Sequence, residues 1–233
     1  MKYIPTSVGP FPERPYFTDD EIETICVEEL LAVDLLPDRP EPVRIERFIE
    51  KRFGVCEEYE NLGHGILGMT QFGPKGVQRI IVARSLEEEG TEVAARQIRT
   101  TLAHEAGHGL LHAAMFFDNM QQKLFGDLSN PVTPKVLCRV MGMESGIKQY
   151  KGEWWEFQAN RVIGGLLMPR DLVISVLKKY LVLNGSLGSL SVNRFAQDEA
   201  SKVLAEVFNV NPAVSRIRLE ILFPGSRSSQ MYL

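Results

Sequence analysis

Cysteine is scarce in this chain. Cys26, Cys56 and Cys138 are the only three in 233 residues, and they lie far apart. They form no CxxC pair and no disulfide framework, which points to a reducing, cytoplasmic setting. Long apolar runs are also missing; pieces such as Val162–Met168 are the longest. A membrane-spanning helix needs about 20 apolar residues, so no membrane association is expected. The start, Met1–Thr18, carries four prolines and no apolar h-region, unlike a secretory leader. Positive charge is not in excess: 26 basic residues face 30 acidic ones, a net of −4. That argues against nucleic acid as the main partner. Histidine is also scarce, with four in the chain, yet three of them fall between positions 104 and 112.

What is present is globular. Hydrophobic residues make up 44% and charged residues 24%, enough for one large domain or a main domain with a small accessory part. The proline-rich start reads as an extended arm. Thr18 and Glu21 form a capping box ahead of an apolar stripe through Ile22, Ile25, Cys26, Leu30 and Val33, which predicts a helix. A second helix is expected near Val43–Phe53, closed by Gly54. Glycine-punctuated pieces follow, and Ile66–Phe72 and Gln78–Ala83 read as strands around a turn. Arg84–Gly90 reads as a solvated loop. Helices are expected at Glu92–Met115, around Val136–Met143, at Glu153–Met168, and at Arg170–Leu183 with Pro169 in its first turn. Asn184–Ser191 reads as a hinge, and two helices should fill Val192–Leu222. The reading is thus α+β. An N-terminal arm and helix occupies 1–42, and a core of helices with a small sheet occupies 43–183, with an insert at 117–151. A C-terminal helical element occupies 192–233.

The chemistry is concentrated in His104-Glu105-Ala106-Gly107-His108. Residues four apart share a helix face, so both imidazoles can reach one metal ion from a single turn. Glu105 lies on the adjoining stripe, where it can hold and deprotonate a water on that ion. With so few histidines, chance alone yields about 0.006 such HExxH matches in the chain. Gly107 allows another backbone or a substrate to come close.

A catalytic zinc uses three protein ligands and keeps one open position. His112 continues the series, but positions 104 and 112 are about 12 Å apart along a helix at 1.5 Å per residue. It is expected beneath the site or against substrate. Glu156 is the better third ligand, with Asn160 on the same face to hydrogen-bond a ligand's outer atom. Glu153 is its rival. Trp154, Trp155 and Phe157 would pack around the site.

At these residues the chain resembles a known family. Arg99-Thr100-Thr101-Leu102-Ala103-His104-Glu105-Ala106-Gly107-His108 is similar to the R-x-T-L-A-H-E-x-G-H run of the ImmA/IrrE family of metallopeptidases. Glu156, Ala159 and Asn160, followed by Leu166-Leu167-Met168-Pro169, resemble its second motif. Gly68-Met69-Thr70 and Arg79-Ile80-Ile81-Val82 resemble its entry strands. The resemblance implies a zincin-like core and a single Zn2+ held by His104, His108 and Glu156, with Glu105 as general base. It also implies a protein substrate, since several members cut or inactivate a DNA-bound repressor. Two departures stand out. Ile163-Gly164-Gly165 replaces the family's usual Phe-Ala-Ala, and the 117–151 insert lengthens the gap between the motifs.

The expected function is therefore zinc-dependent hydrolysis of peptide bonds in a regulatory, repressor-like protein. His112, Tyr150 and Arg161 are candidates to stabilise the oxyanion, and strand Gln78–Ala83 is a candidate edge for an extended substrate. The competing reading is a non-catalytic regulatory protein with structural zinc and a helix-turn-helix-like C-terminus. Against DNA binding, segment 187–233 has Arg194, Lys202, Arg216, Arg218 and Arg227 against Asp198, Glu199, Glu206 and Glu220, a net of only +1.

Overall fold

A computed structural model describes residues 2–6, 13–124, 135–138, 154–184 and 189–224. The prolines of the arm do not prevent pairing. Strands Lys2–Pro5 (β1) and Glu13–Tyr16 (β2) form an antiparallel hairpin with Lys2 opposite Tyr16. Helix Asp19–Ala32 (α1) starts at the expected capping box: Glu21 N–H donates to Thr18 Oγ1 at 3.2 Å, and Thr18 N–H donates to Glu21 Oε2 at 2.7 Å. Helix Ile45–Phe53 (α2) ends on Gly54 at φ 71°, the left-handed cap that glycine favours.

Next come strands Glu57–Glu60 (β3), Gly68–Gly73 (β4) and Gly76–Ala83 (β5), then a short helix, Arg84–Glu89 (α3), where a loop was expected. The long helix Glu92–Leu124 (α4) carries HExxH near its middle. Thr91 Oγ1 accepts from the Ala94 N–H at 3.0 Å and so satisfies one open donor of its first turn. Strand Lys135–Cys138 (β6) takes the position where a helix around Val136–Met143 was expected; the rest of that stretch lies outside the described residues.

The main sheet has the order β3-β5-β4-β6. β5 pairs parallel with β3 and antiparallel with β4, so Gln78–Ala83 is an interior strand and cannot serve as the free edge expected of it. The covering strand was hidden because Glu57-Glu58-Tyr59-Glu60 is too acidic to read as one; Arg79 pairs with both Glu58 and Glu60 across the sheet and offsets that charge.

Helix Trp154–Leu167 (α5) is followed by Arg170–Leu177 (α6), which is shorter than expected. Its predicted last turn is instead strand Leu181–Asn184 (β7), paired antiparallel with Ser189–Val192 (β8). A short apolar run does not by itself separate strand from helix. Here the pairing decides it, and the expected hinge is bounded by a hairpin. A 3-10 turn at Arg194–Ala196 leads to helices Gln197–Phe208 (α7) and Pro212–Leu222 (α8).

The architecture is α+β, as the sequence predicts. A hydrophobic core joins Ile22, Cys26 and Leu30 of α1 to Phe48 and Ile49 of α2. It continues through Ile80 and Val82 of β5, Leu102 and Ala106 of α4, Val162 and Leu166 of α5, and Leu204 and Phe208 of α7. Arg99, part of the first motif, ties this frame together: it donates to the carbonyls of Val43 at 2.8 Å and Asn209 at 3.2 Å. Among the described residues, no helix is long and apolar enough to cross a membrane.

Candidate metal centre

α4 and α5 are held unusually close. A Cβ added at Gly107 would stand 3.0 Å from Val162 Cβ and 3.1 Å from Ala159 Cα. The glycine inside HExxH thus admits a backbone, that of α5. The approach sets Glu156, one turn before Ala159, against the two imidazoles of α4.

His104 Nε2 and His108 Nε2 lie 3.0 Å apart. Glu156 Oε2 is 3.2 Å from His104 Nε2, and its Oε1 is 3.4 Å from His108 Nε2. Tetrahedral bonds of about 2.0–2.1 Å separate ligand atoms by about 3.3 Å, so this spacing suits one ion. Together the three residues form a group that can hold a metal ion. Two further atoms fit that assignment. Glu105 Oε1 and Glu156 Oε1 are buried, yet neither has a hydrogen-bond partner. Buried carboxylate oxygens in that condition are costly unless a cation or a donor meets them.

The outer atoms of the imidazoles are engaged. His104 Nδ1 is 2.9 Å from Asn160 Oδ1, an oxygen that can only accept, so Nδ1 carries the proton and Nε2 faces the site. His108 Nδ1 meets His112 Nδ1 at 3.1 Å. His112 is buried and lies beneath the site rather than in it. Burial and the neighbouring His108 charge hold its pKa down to about 3, so it is neutral.

Electrostatics bind the cluster in the metal-free protein. Burial opposes the charge on Glu156, but the adjacent His104 and His108 imidazoles prevail, pulling its pKa to about 2. Burial likewise opposes a charged His104. The Glu156 hydrogen bond and the charges of Glu105 and Glu156 outweigh it, raising the pKa above 6.5. For Glu105, burial dominates and raises the pKa despite both histidines.

β4 lies over Glu105. Thr70 donates from Oγ1 to Glu105 Oε2 at 2.6 Å. A Cβ at Gly68 would come within 2.6 Å of Glu105 Oε1 and 2.4 Å of Thr101 Cγ2, so the strand can lie this close only with glycine there. Sequence reasoning placed Gly68 and Thr70 in an entry strand without a role toward Glu105. The only signal was their place in the resemblance.

Other candidates lie elsewhere. Arg161 is five residues beyond Glu156, about 140° round the helix. Its guanidinium stacks over Phe157 at 4.8 Å, and its Nε is 3.4 Å from Asp19 Oδ1, so it faces α1 and not the ligands. Tyr150 and Glu153 lie outside the described residues. Trp154 is buried with its ring 5.6 Å from that of His112, whereas Phe157 is exposed. Arg218, one of the basic residues counted in segment 187–233, is buried at 1% exposure. Its guanidinium forms a double ion pair with Glu23 and donates to the Met168 carbonyl.

The chain matches no protein-family model, and no curated protein matches it.

Proposed function

We propose that the protein is a zinc-dependent endopeptidase that hydrolyses a regulatory, repressor-like protein in a reducing cytoplasm. One observation carries this reading. Nε2 of His104, Nε2 of His108 and the Glu156 carboxylate converge at metal-ligand spacing. Glu105, the residue next to the first ligand, has a buried oxygen without a partner. A zinc ion in such a set supplies Lewis acidity, polarising a carbonyl and making a coordinated water acidic near neutral pH.

The protein's own groups do the rest. Thr70 holds Glu105 Oε2, which leaves Oε1 to take a proton from the attacking water and pass it to the departing amine. The raised pKa of Glu105 suits a group that must carry that proton between the two steps. Asn160 holds the ring of His104 in its ligating tautomer. The endopeptidase class and the nature of the substrate rest on the sequence resemblance.

The test pairs metal content with cleavage. His104→Ala and Glu156→Ala should lose zinc. Glu105→Gln should retain it and lower hydrolysis by about 10²–10⁴-fold, scored by mass spectrometry as new termini in a proteome-derived peptide library. Full zinc in His104→Ala, or wild-type cleavage by Glu105→Gln, refutes the proposal.

A further inference from the structure

A hydrogen-bond path leads away from the candidate metal centre and ends on the N-terminal hairpin. Gln158 lies on α5 and is buried. Its Nε2 is 2.7 Å from the carbonyl oxygen of Pro15 in β2. A backbone carbonyl can only accept, which orients the amide: the NH2 group faces Pro15, and Oε1 faces the other way. Oε1 is 2.9 Å from His112 Nε2. That oxygen too can only accept, so His112 carries its proton on Nε2. In a neutral ring Nδ1 is then bare. His112 Nδ1 is 3.1 Å from His108 Nδ1, so the proton in that contact belongs to His108. A neutral His108 protonated at Nδ1 has its lone pair on Nε2, the atom that faces His104 and Glu156.

We infer that Gln158 and His112 are positioning residues that transmit the polarity of the Pro15 carbonyl to His108 and select the tautomer in which His108 binds metal. The inference rests on the metal-binding part of the proposed function. It makes the β1–β2 hairpin, which supplies no ligand, a part of the metal centre's support. Every contact on the path has one permitted direction. Reversing the amide would set its NH2 group toward His112 and an oxygen against the Pro15 oxygen, so the chain of donors holds as a unit.

Two measurements test this. The first uses metal-free protein with 15N-labelled histidine, in which long-range proton–nitrogen spectra distinguish Nδ1–H from Nε2–H rings. His108 should appear as Nδ1–H and His112 as Nε2–H in the wild type. Gln158→Leu should turn both into tautomer mixtures. The second uses zinc alone, titrated against a chromophoric chelator. Gln158→Leu and His112→Phe should bind zinc about 10–100-fold more weakly, the usual loss when a ligand's outer partner is removed. His112→Asn keeps an acceptor near His108 Nδ1 and should recover most of that loss. A role in packing alone predicts no such rescue, because asparagine fills the space worse than phenylalanine does. An Nε2–H form of His108 in the wild type overturns the inference. So does wild-type zinc affinity in a folded His112→Phe or Gln158→Leu protein. A wild type that binds no zinc would remove the metal reading, while the metal-free tautomers would still decide the relay.

Discussion

Replacing Gly107 with alanine tests whether the α4–α5 approach is what assembles the metal centre. The new Cβ would sit 3.0 Å from Val162 Cβ, 3.1 Å from Ala159 Cα and 3.2 Å from Ala159 O. Comfortable carbon contacts begin near 3.5 Å, so α5 must retreat by about 0.5 Å. Two of the three atoms are backbone, and no change of rotamer can absorb the clash. Overpacking of this kind costs about 1–3 kcal/mol. The gain in helix propensity from glycine to alanine returns about 1 kcal/mol. The metal-free protein should therefore lose only about 0–2 kcal/mol. Metal binding should suffer more, because α5 carries both Glu156 and Asn160, and good coordination tolerates errors of about 0.2 Å. A retreat of about 0.5 Å should weaken zinc by at least about tenfold. Urea denaturation of the metal-free protein and chelator competition for zinc give the two numbers separately. If Gly107→Ala binds zinc as tightly as the wild type, the close crossing is not what places Glu156. If stability collapses and zinc affinity of the folded fraction is unchanged, Gly107 serves folding alone.

Two further outcomes follow from buried charge. Arg218→Met should destabilise the fold by about 3–5 kcal/mol because it strands the Glu23 carboxylate inside the protein. The double variant Arg218→Met/Glu23→Leu should recover most of this in urea denaturation, and an Arg218→Met protein as stable as the wild type would refute the assignment. The second outcome concerns pH. The stabilisation from Glu156, whose pKa is lowered, is present above 4.5 and lost as pH falls toward about 2. That from His104, whose pKa is raised, is full below 6.5 and lost as pH rises past its folded value. Glu156 and His104 together therefore contribute most between pH 4.5 and 6.5, while buried His112, its pKa lowered to about 3, works the other way and withdraws stability as pH falls below 6.5. Zinc must displace the His104 proton, so its affinity should climb as pH rises through the upper edge of that window. Thermal unfolding with and without zinc should show a gap that widens from about pH 6 to about pH 8; a constant gap would count against His104 as a ligand.

Legibility from sequence tracked the range of each interaction. The His104–His108 pair and the Glu156–Asn160 pair are i,i+4 relations within one helix, which spacing reveals directly. The capping box at Thr18 is equally local. Thr70 and Gln158 were not legible as site residues, because their partners lie 35 and 143 residues away. A threonine in a glycine-rich strand and a glutamine on a helix look ordinary until the fold brings a carboxylate or a carbonyl to them. The same limit explains β3, an acidic segment that pairs with β5 and whose charge Arg79 of that distant strand offsets. It also explains the β7–β8 hairpin, where pairing overrode a helical reading.

The glycine pair Gly164-Gly165 has a physical cause, and it bears on the metal centre. A Cβ at Gly165 would lie 2.6 Å from Cys26 Sγ of α1, and one at Gly164 would lie 2.9 Å from Arg218 Cδ of α8. Together with Gly107 of α4, these glycines let three helices close on α5 from different sides. A helix packed on one face can slide or roll by several tenths of an ångström at little cost, whereas one gripped on three cannot. The double ion pair from Arg218 to Glu23 and its donation to the Met168 carbonyl link two of the gripping helices to the end of α5 itself. Glu156 projects from α5, and its oxygens must stay within a few tenths of an ångström of their places for an ion to be held. The glycines at 107, 164 and 165 therefore serve position: each lets a neighbouring helix lie against α5 where a side chain would hold it off.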